Sequence, residues 1–264
     1  MRLLIAYCKV AAAIAVTLGV YAVFMMGYGL LRLFNRPIDE WRNSCLMTWG
    51  KWTAFTLSVE THVEGHPPEP PFFLVSNHLS YVDIIVLLSQ LKTTFVAKAE
   101  VADWPVLGFI AKTIGIVFVD RNRRSDVHRV NEEIATAVTE NRGLTLFPEG
   151  TTSPGSKVLR FRAGLLDFPA RSELGAHYCA LSYSIKNGDD RAYEIVSWWG
   201  VSPLNTHIIR LAKEQKIHAT IAFGNNVIVE KDRKVLSTKL HSEVSGVFKP
   251  MCRESDIEFE PLQF

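Results

Sequence analysis

The run Ser76-Asn77-His78-Leu79-Ser80-Tyr81-Val82-Asp83 sets a histidine and an aspartate five residues apart. An imidazole with a carboxylate on one ring nitrogen is a general base in outline: the carboxylate fixes tautomer and orientation, and the other nitrogen takes a proton from a nucleophile. On a continuous helix each residue turns by about 100°, so residues five apart face about 140° away from each other. A contact between His78 and Asp83 therefore requires a bend, such as a strand end turning into the first turn of a helix. Two further stretches concentrate chemistry. Arg121, Arg123 and Arg124 follow an apolar run at 115–119; guanidinium forks there suit a phosphate or carboxylate, although arginines also populate ordinary solvated turns. Phe147-Pro148-Glu149-Gly150-Thr151-Thr152-Ser153 follows another apolar run and leads to Arg160 and Arg162. The Gly150 and Thr151 amides are candidates to donate to an anion, and Glu149 to bind a hydroxyl or hold an arginine. Equally, Glu149 reads as a helix cap and Gly150 as a turn residue.

These three stretches need a scaffold that brings strand ends together. Apolar, β-rich runs occur at 72–75, 94–97, 115–119, 144–147, 178–185, 193–199 and 219–229, and helical patterns lie between many of them. Residues 84–88 read as a helix packed on the first run. Residues 126–140 read as a helix capped by Ser125, with Val127, Val130, Ile134, Ala137 and Val138 on one stripe and Gly143 as a stop. Residues 233–248, capped by Asp232, place Leu236, Leu240, Val244, Val247 and Phe248 on one face. Strands alternating with helices indicate an α/β domain with a largely parallel sheet flanked by helices. Strands that are continuously apolar agree, since such a sheet is covered on both faces. Chemistry in this architecture collects where strands end.

The chain has 264 residues, 48% of them hydrophobic, enough for one large domain with an anchor. A net charge of +2 and the lack of a basic tract with interleaved aromatics give no sign of nucleic-acid binding. Cys8, Cys45, Cys179 and Cys252 are scattered, so neither a zinc site nor a disulfide framework is indicated, and a reducing compartment is inferred for the main domain. Residues 10–31 carry no charge and are bracketed by Arg2, Lys9, Arg32 and Arg36. At 1.5 Å per residue they cover about 33 Å, so a transmembrane helix is expected, with a hairpin or a monotopic helix as the alternatives. Cations after this stretch outnumber those before it, which places the main domain on the cytoplasmic side. Residues 32–56 mix cations with Trp41, Trp49 and Trp52 and read as a helix at the membrane interface or packed on the domain. Residues 62–71, with four prolines, read as a connector. The expected organisation is an anchor and interfacial segment over 1–60 and an α/β domain over 61–264.

Taken in order, the three stretches resemble the glycerolipid acyltransferase family that includes the bacterial 1-acylglycerol-3-phosphate acyltransferases. Asn77, His78 and Asp83 match its N-H-x4-D motif; 115–121 match its apolar strand ending in arginine; Phe147 to Thr151 match F-P-E-G-T; and Arg162 with Gly164 match the basic-x-Gly step that follows. The resemblance implies that His78 and Asp83 are the catalytic pair, with His78 deprotonating an acceptor hydroxyl that attacks an acyl-CoA or acyl carrier protein thioester. It also implies that Asn77, Arg121, Arg124, Glu149, Gly150, Thr151 and Arg162 bind substrate, without metal or cofactor. The implied acceptor is a lysophospholipid drawn from the membrane lipids, first of all 1-acylglycerol 3-phosphate, giving phosphatidic acid; for a bacterial source the site would be the inner membrane. Two departures bear on the acceptor. Thr152 stands where many lysophosphatidate-specific members have arginine, and 178–183 lack the proline of a fourth motif. F-P-E-G-T-T-S is similar to branches that acylate lysophosphatidylcholine or lyso-ornithine lipid. A non-catalytic membrane scaffold that kept the fold is the third reading.

Overall fold

A computed structural model describes residues 1–119, 126–185, 191–200 and 202–257. Its first element, α1 (Arg2–Leu33), is a long apolar helix, as expected, and α2 (Asp39–Thr56) folds back beside it. The rest is a seven-stranded sheet of β1 (Val59–Glu64), β2 (Phe73–Ser76), β3 (Thr93–Lys98), β4 (Val117–Val119), β5 (Gly143–Leu146), β6 (His177–Ile185) and β7 (Ile217–Phe223), in the order β1-β7-β6-β2-β5-β3-β4. Five neighbours, β6-β2-β5-β3-β4, run parallel; β7 pairs antiparallel with β6 and parallel with β1. Because β2, β3, β4 and β5 share one direction, the chain leaves all four on the same edge.

Alternation along β2 shows how the sheet is covered: Phe72 and Leu74 join one core with α3 (Val82–Gln90), and Phe73 and Val75 join the other. That second core includes Val130 and Ile134 of α5 (Asp126–Ala137) and Leu236, Leu240 and Val244 of α9 (Arg233–Val247). Asp232 caps α9 as expected, its Oδ1 accepting from the amides of Lys234 and Val235. Shorter helices complete the fold: α4 (Leu107–Thr113), α6 (Asp167–Arg171), α7 (Ala192–Ile195) and α8 (Leu204–Ala212).

Three expectations are corrected. Residues 59–64 form β1, so His62 to Glu64 belong to the sheet and not to the proline-rich connector. Residues 193–199 are not a strand: α7 ends at Ile195, and the indoles of Trp198 and Trp199 donate to the carbonyls of Ser202 and Tyr193 within the same bend. The run at 219–229 is strand only to Phe223. The Ser125 cap lies outside the described residues.

The apolar helix α1 does not stand clear of the domain. Ala6, Ala13 and Phe24 are buried on one side of it. Lys9 Nζ donates to the Glu214 carbonyl at 2.6 Å, the Trp49 indole donates to Thr17 Oγ1 at 3.0 Å, and the Trp41 indole donates to the Phe24 carbonyl at 3.2 Å. Gly27 makes the last contact possible, since a Cβ there would fall 2.2 Å from Trp41 Nε1. These attachments fix about 22 Å of helix along the domain. The other side, with Leu4, Leu18, Met26, Leu30 and Leu33, is bare.

Candidate active site

His78 leaves the end of β2 and Asp83 sits in the first turn of α3, the bend that their spacing requires. His78 Nδ1 lies 2.7 Å from Asp83 Oδ2. The same oxygen accepts the amides of Leu79 at 2.7 Å and Ser80 at 3.0 Å, while Oδ1 accepts the hydroxyl of Tyr183, on β6, at 2.6 Å. Asp83 and Tyr183 are both buried. An acceptor-only carboxylate held by so many donors places the imidazole proton on Nδ1, which leaves Nε2 as the basic nitrogen. His78 keeps a fifth of its side chain exposed. Its ring stacks on Phe147 at 4.1 Å, and Phe147 stacks on Phe95 of β3. The Ser153 amide donates to the His78 carbonyl at 3.0 Å, so the turn after β5 is fastened to the turn after β2. His207, by contrast, is buried with Nε2 donating to the Ser197 carbonyl and Nδ1 facing the Tyr81 hydroxyl. Both its nitrogens are engaged, and it serves packing.

Beside the dyad opens a pocket of about 880 Å³ lined by Glu149, Thr151, Arg160 and Arg162 and, from α9, by Lys234, Thr238 and His241. Among the described residues, no ion pair involves Arg160, Arg162 or Lys234. Three unpaired cations around one concavity attract an anion. Glu149 is buried between pocket and dyad, with Oε1 accepting from the Leu159 amide at 3.3 Å and Oε2 without a partner. Burial pushes its pKa up to about 9, against the amides of Leu159 and His78, which favour its charged form. Burial thus favours the neutral acid, which can donate a hydrogen bond, in a pocket also lined by Arg160, Arg162 and Lys234. Gly150 adopts φ 75°, and a Cβ there would sit 3.2 Å from Arg162 Nε, so the glycine lets the guanidinium lie across the turn.

The expected site residues divide accordingly. His78 and Asp83 meet, and Glu149, Thr151 and Arg162 line the pocket. Gly150 shapes the turn, but its amide donates to the Phe147 carbonyl at 3.2 Å instead of facing a ligand. Asn77 is buried and clips β2 to β6, its Nδ2 donating to the Leu181 carbonyl and its Oδ1 accepting the Leu181 amide. Arg121 and Arg124 lie outside the described residues. Tyr183, Lys234 and His241 were not expected; each lies 100 or more positions from Asp83 in sequence, and no local spacing signals them. Thr152 turns its hydroxyl to the Trp198 carbonyl.

Among the described residues no hydrogen bond engages His78 Nε2, and a pocket lined by Arg160, Arg162 and Lys234 lies alongside. A family model described as "Acyltransferase" matches residues 58–180. Over 68% of this chain and 72% of the relative, the sequence is 35% identical to the lyso-ornithine lipid O-acyltransferase of Brucella abortus. It is 27% identical to the 1-acyl-sn-glycerol-3-phosphate acyltransferase of Neisseria gonorrhoeae over 82% and 86% of the two. The crystal structure of the 1-acyl-sn-glycerophosphate acyltransferase PlsC from Thermotoga maritima shares the fold, with a TM-score of 0.59 and 23% identity over 93% of this chain and 97% of that one. The chain belongs to this acyltransferase family, and it is a lysolipid acyltransferase.

Proposed function

We propose that the protein acylates the free hydroxyl of 1-acylglycerol 3-phosphate at the membrane surface, using an acyl-CoA or acyl carrier protein thioester. His78 Nε2 takes the hydroxyl proton as the oxygen attacks the thioester carbonyl; the new C–O bond forms, the C–S bond breaks, and the proton passes to the departing thiolate sulfur. Asp83 holds the ring and balances the imidazolium, a role that general-base sites reward with about 10²- to 10⁴-fold in rate. The chemistry asks for neither a covalent acyl-enzyme nor a metal. What carries the acceptor assignment is the pocket beside the dyad. Arg160, Arg162 and Lys234 match a dianionic phosphate, and a protonated Glu149 donates to one of its oxygens. Arg121 and Arg124 are proposed as further phosphate contacts.

Thr152 supports a second reading, lyso-ornithine lipid. Its hydroxyl is spent on a backbone carbonyl where a phosphate-binding arginine would otherwise stand, and the relative in Brucella abortus carries that activity in its name. The two readings separate in one assay: transfer from labelled acyl-CoA by the membrane-embedded protein, with both lysolipids side by side, for wild type and His78→Ala. The expected result is phosphatidic acid from the wild type and none from the variant. Preference for lyso-ornithine lipid would overturn the acceptor, and an active His78→Ala would overturn the mechanism in favour of a scaffold.

We further propose that α1 lies within one leaflet, with the domain on the cytoplasmic side. Its lateral attachment from Lys9 to Phe24 supports this mode over a span clear of the domain.

A further inference from the structure

We propose that the segment joining β3 to β4, residues 99–114, is a second membrane contact that pushes apolar side chains into the lipid and holds the active-site edge of the sheet against the bilayer. The proposal rests on α1 being a membrane helix.

Four large apolar side chains lie bare within six residues of this segment. Trp104 is 40% exposed, Val106 64%, Leu107 47% and Phe109 61%. None of them serves the core: the 3₁₀ turn Ala99–Asp103 buries no residue, and α4 buries only Gly108. Between Asp103 and Lys112 the sequence has no charge. A contiguous apolar patch of this kind on a folded domain marks an interaction surface, and Trp beside a Lys able to extend toward headgroups suits the lipid interface.

Continuity with α1 identifies the occupant as lipid. The Phe109 ring meets Tyr21 of α1 edge-on at 6.4 Å, and the Tyr21 hydroxyl is 2.9 Å from Thr113 Oγ1. The patch thus extends the bare apolar side of α1. At its tip the backbone is strained. Val106 has φ 64° and ψ −56°, with the Leu107 amide donating to the Pro105 carbonyl at 2.6 Å, a γ-turn of the rare positive-φ kind. A β-branched residue is ill suited to that conformation, and an exposed Val in it gains no burial from the fold in return. Contact with lipid supplies the missing burial. The placement also has a use. The segment starts where β3 ends, on the edge that carries His78, and β3 reaches the dyad through the Phe95–Phe147–His78 stack.

The test uses the full chain in phosphatidylcholine–phosphatidylglycerol vesicles whose acyl chains are brominated at a shallow position. Subtracting the emission of Trp104→Phe from wild type isolates Trp104 among the six tryptophans. The expected result is strong quenching of that difference by brominated lipid. In parallel, Leu107→Asp with Phe109→Asp should raise KM for a long-chain lysolipid in vesicles by at least about tenfold, the direction that lost burial of two apolar side chains requires. It should leave turnover of a hexanoyl, water-soluble form of the same lysolipid unchanged. An unquenched Trp104 in vesicles that do quench the remaining tryptophans would overturn the proposal while leaving α1 in the membrane. Equal impairment with both substrates would assign the segment a structural role, and conversion of a dimer to a monomer by the double variant would assign it to a second copy of the chain. Wild type that stays off the vesicles altogether would overturn the membrane reading of α1 as well.

Discussion

The dyad and the pocket beside it are built on opposite terms. Around Asp83 every polar direction is filled: one imidazole, two amides and a tyrosine hydroxyl converge on a carboxylate with no exposed surface. Around Glu149 the polar directions are sparsely filled: a long hydrogen bond from the Leu159 amide, one oxygen without a geometric partner, and three pocket cations that make no ion pair among the described residues. The first carboxylate has a donor on both oxygens. The second keeps one oxygen without a donor, and burial pushes it toward the neutral acid. Satisfied groups fix a geometry that chemistry needs unchanged from one acceptor to the next, whereas unsatisfied groups acquire their definition from whichever headgroup arrives.

Substitutions should separate these two regions by what they alter. His78→Ala removes the base and should lower kcat by about 10²- to 10⁴-fold with little change in KM, read in a steady-state acyl-transfer assay. A fall confined to KM would erase the distinction between the regions. Tyr183→Phe deletes one of the four donors to a buried charge and should cost about 1.5–3 kcal/mol of stability in denaturant unfolding, with a severalfold loss in kcat. Unchanged stability would mean that the Asp83 cage is redundant. Arg162→Ala combined with Lys234→Ala should do the reverse, raising KM for the anionic acceptor about tenfold while kcat and stability stay near wild type, since neither cation makes an ion pair among the described residues.

Glu149→Gln should have the smallest effect on turnover, because the amide can also donate a hydrogen bond, and the most informative pH dependence of stability. The carboxyl titrates near 4.5 when free and near 9 in the folded chain. Between those values the native state keeps a proton that the unfolded state has released, so wild-type stability falls as pH rises, by up to about 1.4 kcal/mol per pH unit. Gln lacks that titration, and its advantage in Tm should be absent below pH 4.5 and grow toward pH 9. A difference that stays constant with pH would refute a neutral Glu149.

The dyad was legible in the sequence because its members lie five apart and the strand before them is continuously apolar. The pocket was half legible: Glu149, Thr151 and Arg162 follow one strand, but Lys234 and His241 arrive on a helix whose sequence shows only an ordinary amphipathic pattern. Asn77 has the chemistry of a ligand and the placement of a clip, a fact fixed by Leu181, 104 residues away. The same distance effect hid β1. Val59–Glu64 alternates apolar and polar residues at the sheet edge, and its one partner strand begins at Ile217. Residues 193–199 misled in the other direction, because tyrosine, isoleucine, valine and two tryptophans carry a strong strand preference that local indole–carbonyl bonds override.

The attachment of α1 along the domain, from Lys9 to Phe24, also determines how the enzyme searches. A domain hung from a free helix would swivel and sample the bilayer at varying heights. With α1 in the leaflet as proposed, a domain clamped to its helix along about 22 Å would be held at a constant tilt and depth. Encounter with the acceptor then becomes lateral diffusion in two dimensions, and turnover should follow the mole fraction of lysolipid in the bilayer. Diluting that lysolipid with inert phospholipid should slow the enzyme even when its bulk concentration is unchanged.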